Sequence, residues 1–252
     1  MTDGLIICSR YAFAPNYFHY CGPERQGDLL GYIQEVEADR GLAEILNRFE
    51  TLYPYLRLIA AENHIKNPFD PRVVEAYWLG NGLLAAVTTK VLASHLSDTL
   101  GIKRKTTKNQ FSRVMDHVAN EGMPQHTAHV LTIFVRTGHL AIPHTLTTLD
   151  SCRISWGKIM EKMPAAKSGV GWQYMIKTRP LVYEKNMLLL GQPVIKTVTD
   201  IGVGPKPGSW VSVHWGFICG VLTLRQRRNL AFYTQRAIGA ANQQRIQEYT
   251  GI

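Results

Sequence analysis

From about residue 28 to 140 the apolar positions recur at helical spacing. Leu42, Ile45, Leu46, Phe49, Leu52, Tyr53, Leu56 and Ile59 follow an i, i+3, i+4, i+7 pattern. Pro54 should bend or split that helix. Asp70 followed by Pro71 fits an N-cap and a first helical position. A further helix is predicted from Thr107 to Ala119, ending near Gly122. Residues 125–136 fit a helix or a strand, and the pattern does not decide between them.

From about 150 to 215 the period changes. Short runs rich in β-branched and aromatic residues alternate with turn residues: CRISWGKI, GWQYMIKT, PLVYE, NMLLLG, PVIKTVTD and WVSVHWG. Glu184–Lys185, Pro207–Gly208, Gly202 and Gly204 mark turns. Many short strands in so little chain predict a small antiparallel barrel. The chain then returns to helix, with Leu224, Leu230, Ala231, Tyr233 or Thr234, Ala237 and Ile238 on roughly one face. The expected architecture is α+β: a mainly α-helical N-terminal domain (1–146), then a small β-barrel closed by a C-terminal helix (147–252).

Composition narrows the function classes. The chain has 252 residues, 45% hydrophobic and 19% charged, enough for a sizeable core. The net charge of +9 suggests an anionic partner. Its densest basic runs, GIKRKTTK (101–108) and LRQRR (224–228), come without zinc-finger spacing or an RNA-binding aromatic signature. The four cysteines are widely spaced with no CxxC, and no signal peptide is evident. The longest apolar stretch, GLLAAVTTKVLASHL, is interrupted by Lys90 and too short to span a bilayer. The expectation is a cytoplasmic protein with reduced thiols and no membrane partner.

Candidate chemistry centres on Cys152 and His214. Asp150, Ser151 and Arg153 make a polar neighbourhood around Cys152, and a cation such as Arg153 favours thiolate, the form that binds metal or attacks an electrophile. Strict alternation puts Trp210, Ser212 and His214 on one face of a strand, with Val211, Val213 and Trp215 on the core face. That predicts His214 at an exposed strand end. An imidazole beside a thiolate is a soft site for iron, copper or zinc. Cys21, in the aromatic turn YFHYCGPE, is a second candidate thiol. In QHTAH, His126 and His129 share a helical face if that segment is helical. Cys219, five positions after His214, could join the site, but it is expected to begin a helix and be packed. Phosphate-loop, dinucleotide, zincin and serine-hydrolase patterns are absent.

Two segments resemble the HypC/HupF hydrogenase assembly chaperones. Cys152-Arg-Ile-Ser-Trp-Gly157-Lys158-Ile159 is similar to that family's start: a cysteine, two variable residues, Ile-Pro-Gly, Lys or Gln, and Val. Gly208-Ser-Trp210-Val211-Ser-Val213-His214-Trp-Gly216-Phe217 is similar to its Gly-Asp-Trp/Tyr-Val-Leu-Val-His-Val-Gly-Phe. Here the cysteine is internal, Trp156 stands in place of proline and Ser209 in place of aspartate. The resemblance implies an OB-like barrel that carries iron as the Fe(CN)2(CO) unit or its precursor. It implies Cys152 as ligand, His214 as neighbour, and Gly157, Gly208 and Gly216 as turn-formers. The implied partners are a HypD-like scaffold protein and the large-subunit precursor of nickel–iron hydrogenase. The whole chain also resembles an uncharacterised prokaryotic family bearing Tyr-Cys-Gly-Pro (Tyr20–Pro23), Cys-Arg-Ile (Cys152–Ile154) and His-Trp (His214–Trp215), associated with nickel–iron hydrogenase gene clusters.

Three readings follow. The first is a hydrogenase maturation factor binding iron through Cys152 and His214, with Cys21 and His126 as further candidate metal ligands. The second is a metal- or thiol-dependent enzyme that makes or processes a small ligand for the hydrogenase cofactor. The third is a basic nucleic-acid-binding module, which requires Lys103, Arg104 and Lys105 to share a face with Arg225, Arg227 and Arg228.

Overall fold

A computed structural model of the chain describes residues 3–133, 145–165 and 171–243. The first half is helical: α1 (Gly4–Tyr17), α2 (Gln26–Glu35), α3 (Arg40–Asn47), α4 (Leu52–Glu62) and α5 (Pro71–Trp78). A 3-10 turn (Gly82–Ala86) leads to α6 (Thr89–Ser94), whose end widens into a π-helical turn (His95–Thr99). Then come α7 (Ile102–Lys105), α8 (Lys108–Glu121) and α9 (His126–Ala128), the last running into a second π-helical turn (His129–Ile133).

Local chemistry explains several boundaries. The predicted 42–59 helix is two helices, α3 and α4, and Pro54 sits within the first turn of α4, where its missing N–H is harmless. Asp70 caps α5 by accepting from the Arg72 N–H, and Pro71 is its first residue. Thr107 and Gln110 form a reciprocal capping box that starts α8. The 125–136 segment is helical as far as Ile133; its last three residues lie outside those described.

α10 (Leu146–Cys152) precedes the barrel, so Cys152 closes a helix and does not open a strand. The strands are β1 (Ser155–Ala165), β2 (Trp172–Thr178), β3 (Leu181–Glu184), β4 (Met187–Leu190), β5 (Val194–Asp200), β6 (Trp210–His214) and β7 (Phe217–Val221). Five of them close a barrel in the order β1-β2-β5-β7-β6, while β3 and β4 form a separate hairpin. Four pairings are antiparallel; closure is completed by a short parallel one, Thr199 with Phe217 and Asp200 with Ile218. Residues 217–221, read above as the approach to a helix, form β7, and Cys219 lies within it.

α11 (Leu224–Gln243) follows and packs on α9, its π-helical extension and β4. Asn242 clamps β4 to it, accepting from the Leu188 N–H at 2.7 Å and donating to the Leu188 carbonyl at 3.0 Å. The barrel interior holds Ile159, Tyr174, Ile176, Val198, Val211, Val213 and Ile218. A larger apolar cluster runs from the helices into the outside of the barrel, joining Phe13, Tyr55 and Trp78 to Ile154, Phe217 and Leu222. The seam between helices and barrel is therefore a dry, packed surface.

Polar side chains are also buried in the helical half. His95 is 7% exposed, packs its ring 5.1 Å from that of Tyr55, and has a buried Nε2 without a hydrogen-bond partner. Burial lowers its pKa from 6.5 to about 4. The folded chain therefore binds this proton less readily than the unfolded chain. Stability is intact above about pH 6.5 and falls as the pH drops toward 4. This residue should contribute about 2 kcal/mol of lost stability by pH 5. Urea unfolding of wild type and His95→Phe across this window should show a shallower acid loss in the variant; parallel curves would reject the assignment.

Candidate metal centre at the helix–barrel seam

Three elements deliver three side chains to one point. β6 ends at His214 and turns through Trp215 and Gly216 into β7. Both turn residues have positive φ (50° and 80°), as a two-residue type I′ hairpin demands. Gly216 takes that conformation freely; a bulky tryptophan in it is strained. The strain is held by packing and hydrogen bonding. The Trp215 ring lies 4.6 Å from Tyr20, and the Trp215 backbone N–H donates to the Ser151 carbonyl at 2.8 Å. That bond pins the end of α10 beside the end of β6. The β1–β6 register, with Ser155 opposite Val213, continues the same alignment.

His126 comes from the helical half. Gln125 caps α9 by accepting from the Ala128 N–H, and its amide donates to the Trp78 carbonyl at 3.2 Å. This sets α9 against the end of α5. The Ile154 N–H then reaches Thr127 Oγ1 at 3.4 Å. As a result, one potential ligand atom each from His126, Cys152 and His214 lies within 4.8 Å of the others. The two imidazole centroids are 5.0 Å apart, and the Trp78 ring flanks both, at 4.6 Å and 5.6 Å.

The hydrogen bonds define the proton positions. His214 Nδ1 faces the Tyr11 carbonyl at 2.8 Å. A carbonyl only accepts, so Nδ1 carries the hydrogen and Nε2 bears the lone pair. That Nε2 is buried and makes no well-formed hydrogen bond, although the Cys152 backbone lies close enough to act on the ring. His126 is different. Its Nε2–H donates to the Cys152 carbonyl at 2.9 Å, and its Nδ1 accepts from the Tyr77 hydroxyl at 3.3 Å. His126 must release one of these bonds before it can ligate anything.

Electrostatics favour ligation over proton binding. His214 is 1% exposed, and burial lowers its pKa to about 4. His126, 9% exposed, is held well below 6.5 by burial and then by the neighbouring His214. Both rings are neutral at pH 7, the form that binds metals. Among the cysteines, Cys8 and Cys219 are buried; the Cys8 thiol is pushed up to about 12 and that of Cys219 upward as well. They stay as protonated, inert thiols. Cys152 is half-buried at the seam.

Several expectations need correction. His214 is not on a solvent-facing end of its strand: Val211 and Val213 fill the barrel while Ser212 and His214 pack against the helices, so both faces of β6 are buried. Arg153 does not serve the thiol. Its guanidinium is 1% exposed and pairs with Asp150 at 2.8 Å, and it donates to the Arg179 carbonyl at 2.7 Å. Cys21 sits in the turn after α1, near enough to Tyr77 to raise its pKa, but outside the three-residue group. His129 turns to the Tyr55 hydroxyl at 2.9 Å. Of the basic residues, Arg225 is held by Glu75, Arg227 lies 4.4 Å over Trp210, and Lys105 lies 3.9 Å from Glu50. Tyr11, Tyr77 and Trp78, which orient the imidazoles, were not anticipated. Their partners lie tens to hundreds of residues away, and no local pattern announces them.

Fold and site together define an α+β protein with a Cys/His2 cluster where a helical layer meets a closed five-stranded barrel. The chain belongs to DUF6390, a family of unknown function, whose family model matches residues 1–248. That match does not show a HypC/HupF relationship, which rests on the two segments quoted above. No curated protein and no solved structure matches the chain.

The Asp150 network holds α10 at the seam. Asp150 also accepts from Lys196 Nζ at 2.8 Å and from the Leu181 N–H at 2.9 Å, and these cations and donors lower its pKa against the effect of burial. Asp150→Ala strands a buried guanidinium and should destabilise the fold by about 3–5 kcal/mol in urea titrations. The apolar double variant Asp150→Leu/Arg153→Met should recover most of that loss. An Asp150→Ala protein as stable as wild type would contradict the assignment.

Proposed function

We propose that this protein binds one iron ion through the Cys152 thiolate and His214 Nε2, with His126 as a third, exchangeable ligand, and passes it to a client. The observation that carries the reading is the clustering of His126, Cys152 and His214, with one possible ligand atom of each within 4.8 Å of the others, beside a His214 Nε2 that is buried and makes no well-formed hydrogen bond. A buried lone pair without a donor is unfavourable, and a metal ion would satisfy it. The Nδ1–H bond to the Tyr11 carbonyl is the usual outer support of a metal-bound histidine.

Delivery requires a site that lets go. A closed four-ligand cage is structural, whereas three protein ligands leave a position open. His126 already has two hydrogen bonds to return to, so its bond to metal is easily exchanged. A soft thiolate with imidazoles suits iron(II) carrying strong-field ligands, and it also suits zinc and copper. The resemblance to HypC/HupF chaperones is what favours iron as cargo, in the Fe(CN)2(CO) form or its precursor. It also supplies the proposed client, the large-subunit precursor of nickel–iron hydrogenase, and a HypD-like scaffold as donor. The rival reading, a metal- or thiol-dependent enzyme, draws on the burial of His214 at the seam. Turnover by the isolated protein would favour it.

The test is metal content and infrared spectroscopy of protein produced anaerobically with the hydrogenase maturation machinery. Wild type should carry about one iron per chain and show absorption in the CO/cyanide stretching window. Cys152→Ser and His214→Ala should lower iron affinity at least tenfold, and His126→Ala by less, since removing even supporting groups weakens metal sites by about 10–100-fold. Zinc or copper in place of iron, or full iron content in Cys152→Ser, would overturn the proposal.

A further inference from the structure

A cleft of about 770 Å³ opens on the other side of Tyr11, between α1, α5, β7 and the start of α11. That volume falls within the roughly 300–1,000 Å³ typical of small-molecule sites. Its walls are apolar, formed largely by Ile7, Tyr11, Leu79, Leu83, Cys219 and Leu222. Three arginines line it, and two are already engaged. Arg72 is paired with Asp70 through two nitrogens, and Arg225 grips Glu75 at 2.7 and 2.9 Å. The third, Arg10, has no ion-pair partner among the described residues. Its Nη2 donates to the Gly202 carbonyl at 3.3 Å, its Nε is sealed without a partner, and Nη1 makes no hydrogen bond to any described residue. The Asp200 carboxylate favours the Arg10 charge from a distance but makes no direct bond to it, and its oxygens accept from the Val203 and Gly204 amides at 2.8 and 3.0 Å.

The geometry points to a binding site for a small organic monocarboxylate with an apolar body, its carboxylate on Arg10 and its hydrocarbon along the cleft. A guanidinium matches a carboxylate in shape and charge and holds it through charge-assisted hydrogen bonds. The apolar walls select a hydrocarbon portion, at roughly 25 cal/mol per Å² removed from water. A dianion such as phosphate is disfavoured: one free cation faces the cleft, and the Glu75 carboxylate stands at its rim. The site shares a wall with the metal centre, because Tyr11 lines the cleft and holds His214 through its carbonyl. Its ligand is nevertheless bound without metal.

Calorimetric titration of the full chain with octanoate, 1-octanol and inorganic phosphate tests this. The Cys152→Ser variant is run alongside, so that failure of the metal reading and failure of this one are separable. Octanoate should bind saturably to both proteins, octanol more weakly by at least tenfold, and phosphate not at all. Arg10→Met should weaken octanoate by about ten- to hundredfold, the loss expected on removing a charged hydrogen-bond partner. Val221→Trp, at an exposed rim position where folding is not at risk, should also block octanoate. No octanoate binding by wild type, equal binding of octanoate and octanol, binding of phosphate as tight as octanoate, or unchanged affinity in a folded Arg10→Met protein would each overturn the proposal.

Discussion

The hydrogen bond from His214 Nδ1 to the Tyr11 carbonyl joins residues 203 positions apart at the dry seam between helices and barrel. It sets which nitrogen of His214 is bare, and it fixes the ring that faces Cys152 and His126. Tyr11 is itself locked: its ring stacks on Trp78 with centroids 5.1 Å apart, and its hydroxyl meets Ser212 Oγ at 2.8 Å. One tyrosine thus ties α1, α5 and β6 into the frame of the site.

The site exists because desolvation and geometry act together. Burying two imidazoles in apolar surroundings keeps them neutral, and neutral imidazole is the ligand form. His126 is satisfied by backbone and hydroxyl partners, whereas His214 Nε2, like the buried indole nitrogens of Trp78 and Trp215 beside it, makes no well-formed hydrogen bond, and of these only the imidazole nitrogen can ligate a metal. Meanwhile α10 is held from two sides, by Asp150 pairing with Arg153 and Lys196, and by the Ser151 carbonyl accepting from Trp215. The thiol rides on the end of that helix. A small shift of α10 would separate sulfur from imidazole, so the buried ion pair positions Cys152 instead of activating it.

The same seam carries the Arg10 cleft. Its chemistry is opposite in kind: a cation that makes no direct ion pair among the described residues, in an apolar groove, against an imidazole nitrogen without a well-formed hydrogen bond in an aromatic one. Both are features that folding leaves without a direct partner, and such groups concentrate where function is placed.

Much of the architecture was legible in the amino-acid pattern alone. The shift from period 3.6 to period 2 near residue 150 marked the passage from helices to barrel. Asp70–Pro71 and Thr107 marked helix starts because capping is local chemistry. Cys152 and His214 stood out by residue type and polar context, and His126 by its place in QHTAH. The pattern failed where tertiary packing overrode it. Residues 217–221 became β7 because they pair with β6 across a turn holding a strained tryptophan, which no turn rule anticipates. Alternation put His214 in water, since it assumes one wet face, but here the helical layer covers that face as well. Arg153 was read through its neighbour in sequence, while in space it belongs to Asp150. Residue chemistry and periodicity determined most of the elements and nominated the three side chains that cluster at the seam. Only the packed seam decided which nitrogen is bare and which thiols are shut away in hydrocarbon, because those depend on contacts between segments that the chain keeps far apart.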